Sequence, residues 1–280
     1  MKTSLFASIF GQAGAEILNE FKPVPCPDGN GCAHAWIPTR CAQEVRHAAS
    51  LRGCDAILLT VEQTAMPKCL LIMDFDSTLV TSEGLDLLAE AHGVGLEVAA
   101  ITSRAMRGEM DFAQSLASRL ATLAGMELAQ IDTLAKRQPL QPGMRELVQQ
   151  VQAAGVETAI VSGGFDRLIA PIAVELGIRR IVCNHFALDG ERLCGAIDGE
   201  LIDANAKRTA LLAICGELEI DPMQTIALGD GANDIPMLAA AGIGIALHPK
   251  PKVLEEIPNA LAHNSPACLA CLLRAYPPSS

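Results

Sequence analysis

Aromatic side chains are scarce: one Trp, one Tyr and seven Phe make up 3% of a chain that is half hydrophobic. The apolar half is therefore mostly Ala, Leu, Ile and Val, which suits helices packed on a buried sheet and excludes the disordered class. Basic residues are also in deficit, 21 against 32 acidic ones, for a formal net charge of −11. Gripping a nucleic-acid backbone needs clustered Lys and Arg, so no nucleic-acid partner is expected. A small anionic substrate stays compatible, because a pocket can be positive inside an acidic protein. No apolar run approaches the roughly 18 residues that span a bilayer, so no membrane partner is expected. Internal repeats and low-complexity tracts are missing. The ten cysteines fall in no regular framework, as in a cytoplasmic protein with reduced thiols. The CxxC at Cys268–Cys271 has no second pair at zinc-finger spacing. It reads as two packed small residues, with a metal site the lesser alternative.

The opening MKTSLFASIFGQAGA superficially resembles a signal peptide, but its apolar run is brief and Ala15–Phe21 continues it as an amphipathic pattern. A surface helix of a soluble protein is expected there. Residues 22–35, rich in Pro, Gly and Asn, read as loop. A helix around Cys41–Leu51 and an apolar run over Asp55–Thr60 follow, up to a break at Met66-Pro67. From Lys68 the texture changes. Cys69–Phe75 is a continuous apolar run ending in acid, as a buried parallel strand reads. Residues 84–138 are helical in pattern throughout. Further buried-strand candidates are Val156–Ser162, Arg180–Cys183, Thr225–Gly229 and Ile243–Leu247. Strands alternating with helices predict an α/β fold with a doubly wound parallel sheet. Residues 1–67 are then an accessory segment, 68–82 with 140–280 the core, and 83–139 a helical cap over the sheet edge where ligands bind.

Four clusters carry chemistry. In Asp74-Phe75-Asp76-Ser77-Thr78 one carboxylate ends a strand and a second follows two residues later. One can attack phosphorus while the other handles the leaving-group proton. A calcium loop also uses this pattern, but Leu79 stands where it needs Gly and Leu85 where it needs Glu. In Ser162-Gly163-Gly164 a hydroxyl and open backbone N–H groups can cradle an anion. Lys207 begins a predicted helix after the hairpin-like stretch 184–199. In Gly229-Asp230-Gly231-Ala232-Asn233-Asp234, acids at another strand end make a hard-oxygen site suited to Mg²⁺. Asn233 or Asp234 can alternatively cap the helix that starts at Ile235. Together they supply a nucleophile, an acid/base, a metal site, a phosphate cradle and a cation, which is what phosphoryl transfer needs.

These motifs, over residues 69–238, resemble those of the haloacid dehalogenase superfamily. With Glu83, Met106-Arg107-Gly108-Glu109, Phe112 and Ser115-Leu116-x-x-Arg119 added, the pattern is similar to the phosphoserine phosphatases over about 68–275. The resemblance implies Asp74 as nucleophile and Asp76 as general acid/base, passing the phosphoryl group through an aspartyl-phosphate. It implies Mg²⁺ on the Asp74 carboxylate, the Asp76 carbonyl and Asp230, with Asp234 in support. Ser162, Gly163 and Lys207 would hold the phosphoryl oxygens, with Asn233 close by. Glu83 would take the substrate ammonium and Arg119 its carboxylate, while Met106 and Phe112 line an apolar wall. Gly84 departs from the pattern at the entry to the cap. The implied activity is Mg²⁺-dependent hydrolysis of L-phosphoserine, a phosphoric monoester hydrolase step that ends serine biosynthesis. Alternatives are phosphoryl transfer to homoserine or another alcohol, a related amino-alcohol phosphate as substrate, and a non-catalytic binding protein. The last predicts loss of Asp74, Asp76, Lys207 or Asp230, and all four are present. A homodimer is left open, with no surface stripe arguing for it.

Overall fold

The computed structural model describes residues 4–25, 32–249 and 251–274. Its strands are β1 (Ser4–Phe10), β2 (Val24–Pro25), β3 (Cys32–Pro38), β4 (Asp55–Leu59), β5 (Leu70–Met73), β6 (Glu157–Phe165), β7 (Arg180–Asp189), β8 (Arg192–Asp198), β9 (Thr225–Gly229), β10 (Ile243–Leu247) and β11 (Ala260–Leu261). They form a four-stranded sheet, β2-β3-β1-β4, and a seven-stranded one, β11-β10-β9-β5-β6-β7-β8. The seven-stranded sheet is parallel between β9, β10 and β11 and between β6 and β7, with β8 returning antiparallel as a hairpin. This is the α/β class that the alternating pattern predicts. The chain packs as two compact units, one of residues 1–72, 142–158 and 211–280, the other of 73–141 and 159–210.

In the first unit the amino-terminal residues differ from expectation. Ser4–Phe10 is a strand, not the start of an amphipathic helix, and pairs antiparallel with both β3 and β4. Its last five residues are all buried, so no solvent face remains for a surface helix. Among the described residues nearby, only Gly14–Ile17 and the 3-10 turn Asn19–Phe21 are helical. The stretch expected as loop over 22–35 contains β2 and the first half of β3, while residues 26–31 lie outside the described ones. Tertiary pairing overrides the local turn signal there. One face of this sheet packs Ala7, Ile9, Ala33, Ala35, Ile37, Ala56 and Leu58 against Val45 and Ala49 of the helix Ala42–Leu51. Near the other end of the chain, Cys268 and Cys271 are buried in the 3-10 turn Pro266–Leu273.

In the second unit four helices follow β5: Gly84–His92, Gly95–Met106, Phe112–Ala121 and Leu128–Ala135. Each has a local cause. Gly93 takes φ 81° and ends the first helix, and Asp111 with Gln114 forms a capping box that starts the third. Their apolar faces meet Phe165, Leu168, Phe186 and Leu193 in one core, where Leu88, Leu120 and Leu123 are wholly buried. Each such leucine contributes about 1.5–3 kcal/mol. The two chain ends of this insert are fastened side by side by Thr81 N–H to Pro139 O at 3.0 Å and Gln141 N–H to Leu79 O at 2.9 Å.

Candidate active site

All four bonded residues of β5 are buried, so Asp74, directly after it, is delivered to a fixed place in the second unit. The backbone N–H of Phe75 donates to Asp74 Oδ1 at 2.7 Å. Lys207 Nζ lies 2.8 Å from the same oxygen, and the two side chains are 1% and 6% exposed. Lys207 sits in the first turn of the helix Ala204–Leu218, which Asp203 opens by accepting from Ala206 N–H at 2.8 Å. A buried pair of this kind is favourable only with tight geometry, and removing one partner strands the other.

The chain then turns sharply. Ser77 adopts φ 53°, a left-handed conformation uncommon outside glycine, and this brings Asp76 beside the first helix of the insert. Gly84 N–H donates to Asp76 Oδ1 at 2.9 Å. Gly84 packs closely here: a Cβ would lie 2.8 Å from Leu168 Cδ1 and 3.2 Å from Asp76 Oδ1, so a side chain would displace those two side-chain ends. The departure from the family pattern is thus accommodated by close packing of this loop. Burial, then the charges of Glu83 and Asp74, push the Asp76 carboxyl up to about 8, against the pull of Gly84 N–H and Lys207. Asp76 therefore holds a proton at neutral pH, as a general acid must.

Ser162 is buried on β6, where the register slips between Val161 and Phe165. Its Oγ accepts from Gly164 N–H at 2.9 Å. A Cβ on Gly164 would stand 3.0 Å from Asp76 Oδ2, so glycine lets this turn approach the acid. A Cβ on Gly163 would meet Phe112 Cζ at 3.7 Å, which places Phe112 over the turn. Asn184 escaped sequence reasoning. It is buried on β7, donates to Gly163 O at 2.7 Å and accepts from Ile202 N–H at 2.9 Å, tying the turn to the segment before Lys207. A single Asn in a hairpin strand gives no signal in the sequence.

The insert adds two charges. Glu83 precedes the helix Gly84–His92 and accepts from Ser77 Oγ at 2.6 Å while exposed to solvent. Arg119 is largely buried; burial disfavours its charge, and Asp86, Glu83 and Asp76 offset part of that cost. Its Nε is buried with no hydrogen-bond partner, an arrangement that costs free energy until an acceptor arrives. Met106 stands apart from these contacts, 82% exposed at the end of its helix.

Asp230 and Asn233 belong to the first unit, in the loop after β9. Asp234 is fully buried there and its Oδ2 accepts from Gly231 N–H at 3.0 Å. It occupies the position before the helix Ile235–Ala240 but makes no side-chain capping bond. A Cβ on Gly229 would lie 2.5 Å from Asp234 Cγ, so only glycine fits. One carboxylate oxygen of Asp230 and one of Asp234 lie within 4.8 Å of each other. Two acids this close, offering hard oxygen donors, fit a divalent cation such as Mg²⁺.

Known proteins resemble this chain in sequence and in fold. The chain is 44% identical over 191 residues to a phosphoserine phosphatase of Streptococcus thermophilus, covering 68% of this chain and 89% of that protein. It is 42% identical over 196 residues to the phosphoserine phosphatase of Mycobacterium tuberculosis, covering 70% of this chain and 48% of that longer protein, so it spans about half the length of this relative. The crystal structure of a HAD family hydrolase from Salmonella enterica serovar Typhi superposes with a TM-score of 0.86 at 27% identity, over 96% of this chain and 98% of that one. The model of the haloacid dehalogenase-like hydrolases matches residues 71–239, and the chain belongs to that family.

Proposed function

We propose that this protein is a Mg²⁺-dependent phosphoserine phosphatase of the cytoplasm, converting L-phosphoserine to L-serine and phosphate as the last step of serine biosynthesis. The observation that carries the chemistry is the buried Asp74–Lys207 pair beside a carboxyl held near 8. Asp74 attacks phosphorus while Asp76 gives its proton to the departing seryl oxygen, leaving an aspartyl-phosphate. Asp76, now ionised, takes a proton from the water that hydrolyses it and is restored. Ser162, Gly163 and Lys207 bind the phosphoryl oxygens, with Asn233 nearby. The Asp74 carboxylate, the Asp76 carbonyl and Asp230 would hold Mg²⁺, with Asp234 in support. When bound, that ion offsets the phosphoryl charge.

The substrate class rests on the insert. A free amino acid brings one cation and one anion into an enclosed site, and both need partners. Glu83 has the sign for the ammonium, and the Arg119 Nε without a partner suits the carboxylate. Phe112 supplies the apolar wall, with Met106, exposed at its helix end, as the second apolar side chain of this reading. Relatives named phosphoserine phosphatase support the same reading.

The test is phosphate release from phosphoserine, phosphothreonine and a sugar phosphate with Mg²⁺, without added alcohol, then after EDTA. Phosphoserine should turn over fastest, and EDTA should stop it. Good turnover of the sugar phosphate with none of phosphoserine would overturn the substrate. Release only when homoserine is added would replace hydrolysis by transfer.

A further inference from the structure

Cys32, His34 and Cys271 are buried in the first unit, each offering a ligand atom within 4.8 Å of the other two. Cys32 and His34 lie two residues apart on β3, so their side chains leave the same face. That face is opposite the one where Ala33, Ala35 and Ile37 pack in the core of the four-stranded sheet. Antiparallel pairing sets Ser8 across from His34, and Ser8 Oγ lies 2.9 Å from His34 Nδ1. The imidazole also stacks on Phe6, with centroids 5.3 Å apart and planes at 16°. Held this way, it places Nε2 3.7 Å from the Cys32 sulfur. Cys271 arrives from the turn Pro266–Leu273. A tetrahedral zinc with bonds of about 2.3 Å to sulfur and about 2.0 Å to nitrogen has a sulfur–nitrogen edge of roughly 3.6 Å. The observed separation fits that edge.

We propose that Cys32, His34 and Cys271 form a binding site for Zn²⁺, distinct from the acidic residues assigned to Mg²⁺. Two thiolates and a neutral imidazole around a divalent ion sum to zero charge, which makes the buried location tolerable. Soft sulfur donors select Zn²⁺ over Mg²⁺. Ser8 accepts the Nδ1–H, which fixes the tautomer and aims Nε2 at the ion. On binding, both S–H bonds break, two protons pass to solvent and two Zn–S bonds form, with no change of oxidation state. A solvent oxygen takes the fourth position. The ion ties β3 to the turn Pro266–Leu273, elements more than two hundred residues apart in the chain.

The experiment uses the reduced, Mg²⁺-saturated full chain, titrated first with Co²⁺ as a spectroscopic probe and then with Zn²⁺ against a coloured chelator. One equivalent of Co²⁺ should give sulfur-to-cobalt charge-transfer absorption, and Zn²⁺ should displace it. Cys32→Ser and Cys271→Ser should remove the band. Ser8→Ala should keep it while weakening Zn²⁺ binding about 10- to 100-fold. Cys268→Ser, outside the donor set, should leave both unchanged. Because core variants can misfold, the native titration decides: no sulfur charge-transfer band on native protein sinks the site. Loss of the band in Cys268→Ser overturns the assigned donors.

Discussion

Two regions of the second unit treat charge in opposite ways. Around Asp74 the candidate reacting groups have protein partners, while the buried Thr78 hydroxyl has none. Lys207 and the Phe75 N–H meet its Oδ1, Gly84 meets Asp76, and Gly164 meets Ser162. Around Arg119 the polar groups are less fully engaged: a buried Nε has no acceptor, and Glu83 accepts from Ser77 Oγ but faces solvent. Interior charges set before the substrate arrives belong to a reaction common to a family. Those completed by the substrate decide which molecule is admitted.

The largest expected effect breaks the first region. Asp74→Asn should lower phosphoserine turnover by at least about 10⁴-fold, as loss of a covalent nucleophile does, with far-ultraviolet circular dichroism retained; substantial residual turnover would exclude Asp74 as nucleophile. Lys207→Met leaves the buried Asp74 carboxylate without its cation, and denaturant unfolding should show a loss of about 3–5 kcal/mol. A loss under about 1 kcal/mol would mean that the pair is hydrated in solution. The recognition side should respond selectively. Arg119→Ala should cut kcat/KM for phosphoserine about 10²-fold, while a small phosphate ester lacking a carboxylate should be almost unaffected. Equal losses on both substrates would erase the contrast between the regions.

A further test concerns the proton on Asp76. Its folded value near 8 stands above the usual carboxyl range, so the folded state keeps a proton that the unfolded chain releases. The stability this contributes is fully present below about 4 and is lost as pH rises to about 8. Metal-free protein should show that decline, and Asp76→Asn should flatten it; parallel curves would place the acid in water.

The same contrast explains what the sequence discloses. β5, β9 and β10 are buried on both faces, so each reads as an unbroken apolar run, and the acids after β5 and β9 stand out. β1 carries no comparable cue: SLFASIF mixes small and apolar residues, and its conformation is decided by pairing with β3 and β4, far along the chain. Asp74 and Asp230 are legible as chemistry on their own. Glu83 and Arg119 are legible only through family resemblance, because an exposed Glu and a helical Arg are ordinary residues until a fold brings them together. Asn184 and the left-handed Ser77 leave no trace at all, since their work lies in backbone geometry.

Gly84 carries a consequence for how such an enzyme can change. Its N–H opens the first helix of the insert and also holds the Asp76 carboxyl, and a side chain there would push on both Leu168 and Asp76. Under the proposed function, substrate admission and proton supply then depend on one atom. A lineage selected for a wider entrance would retune its acid at the same step, so new substrates should come more readily through Arg119 and Phe112 than through Gly84.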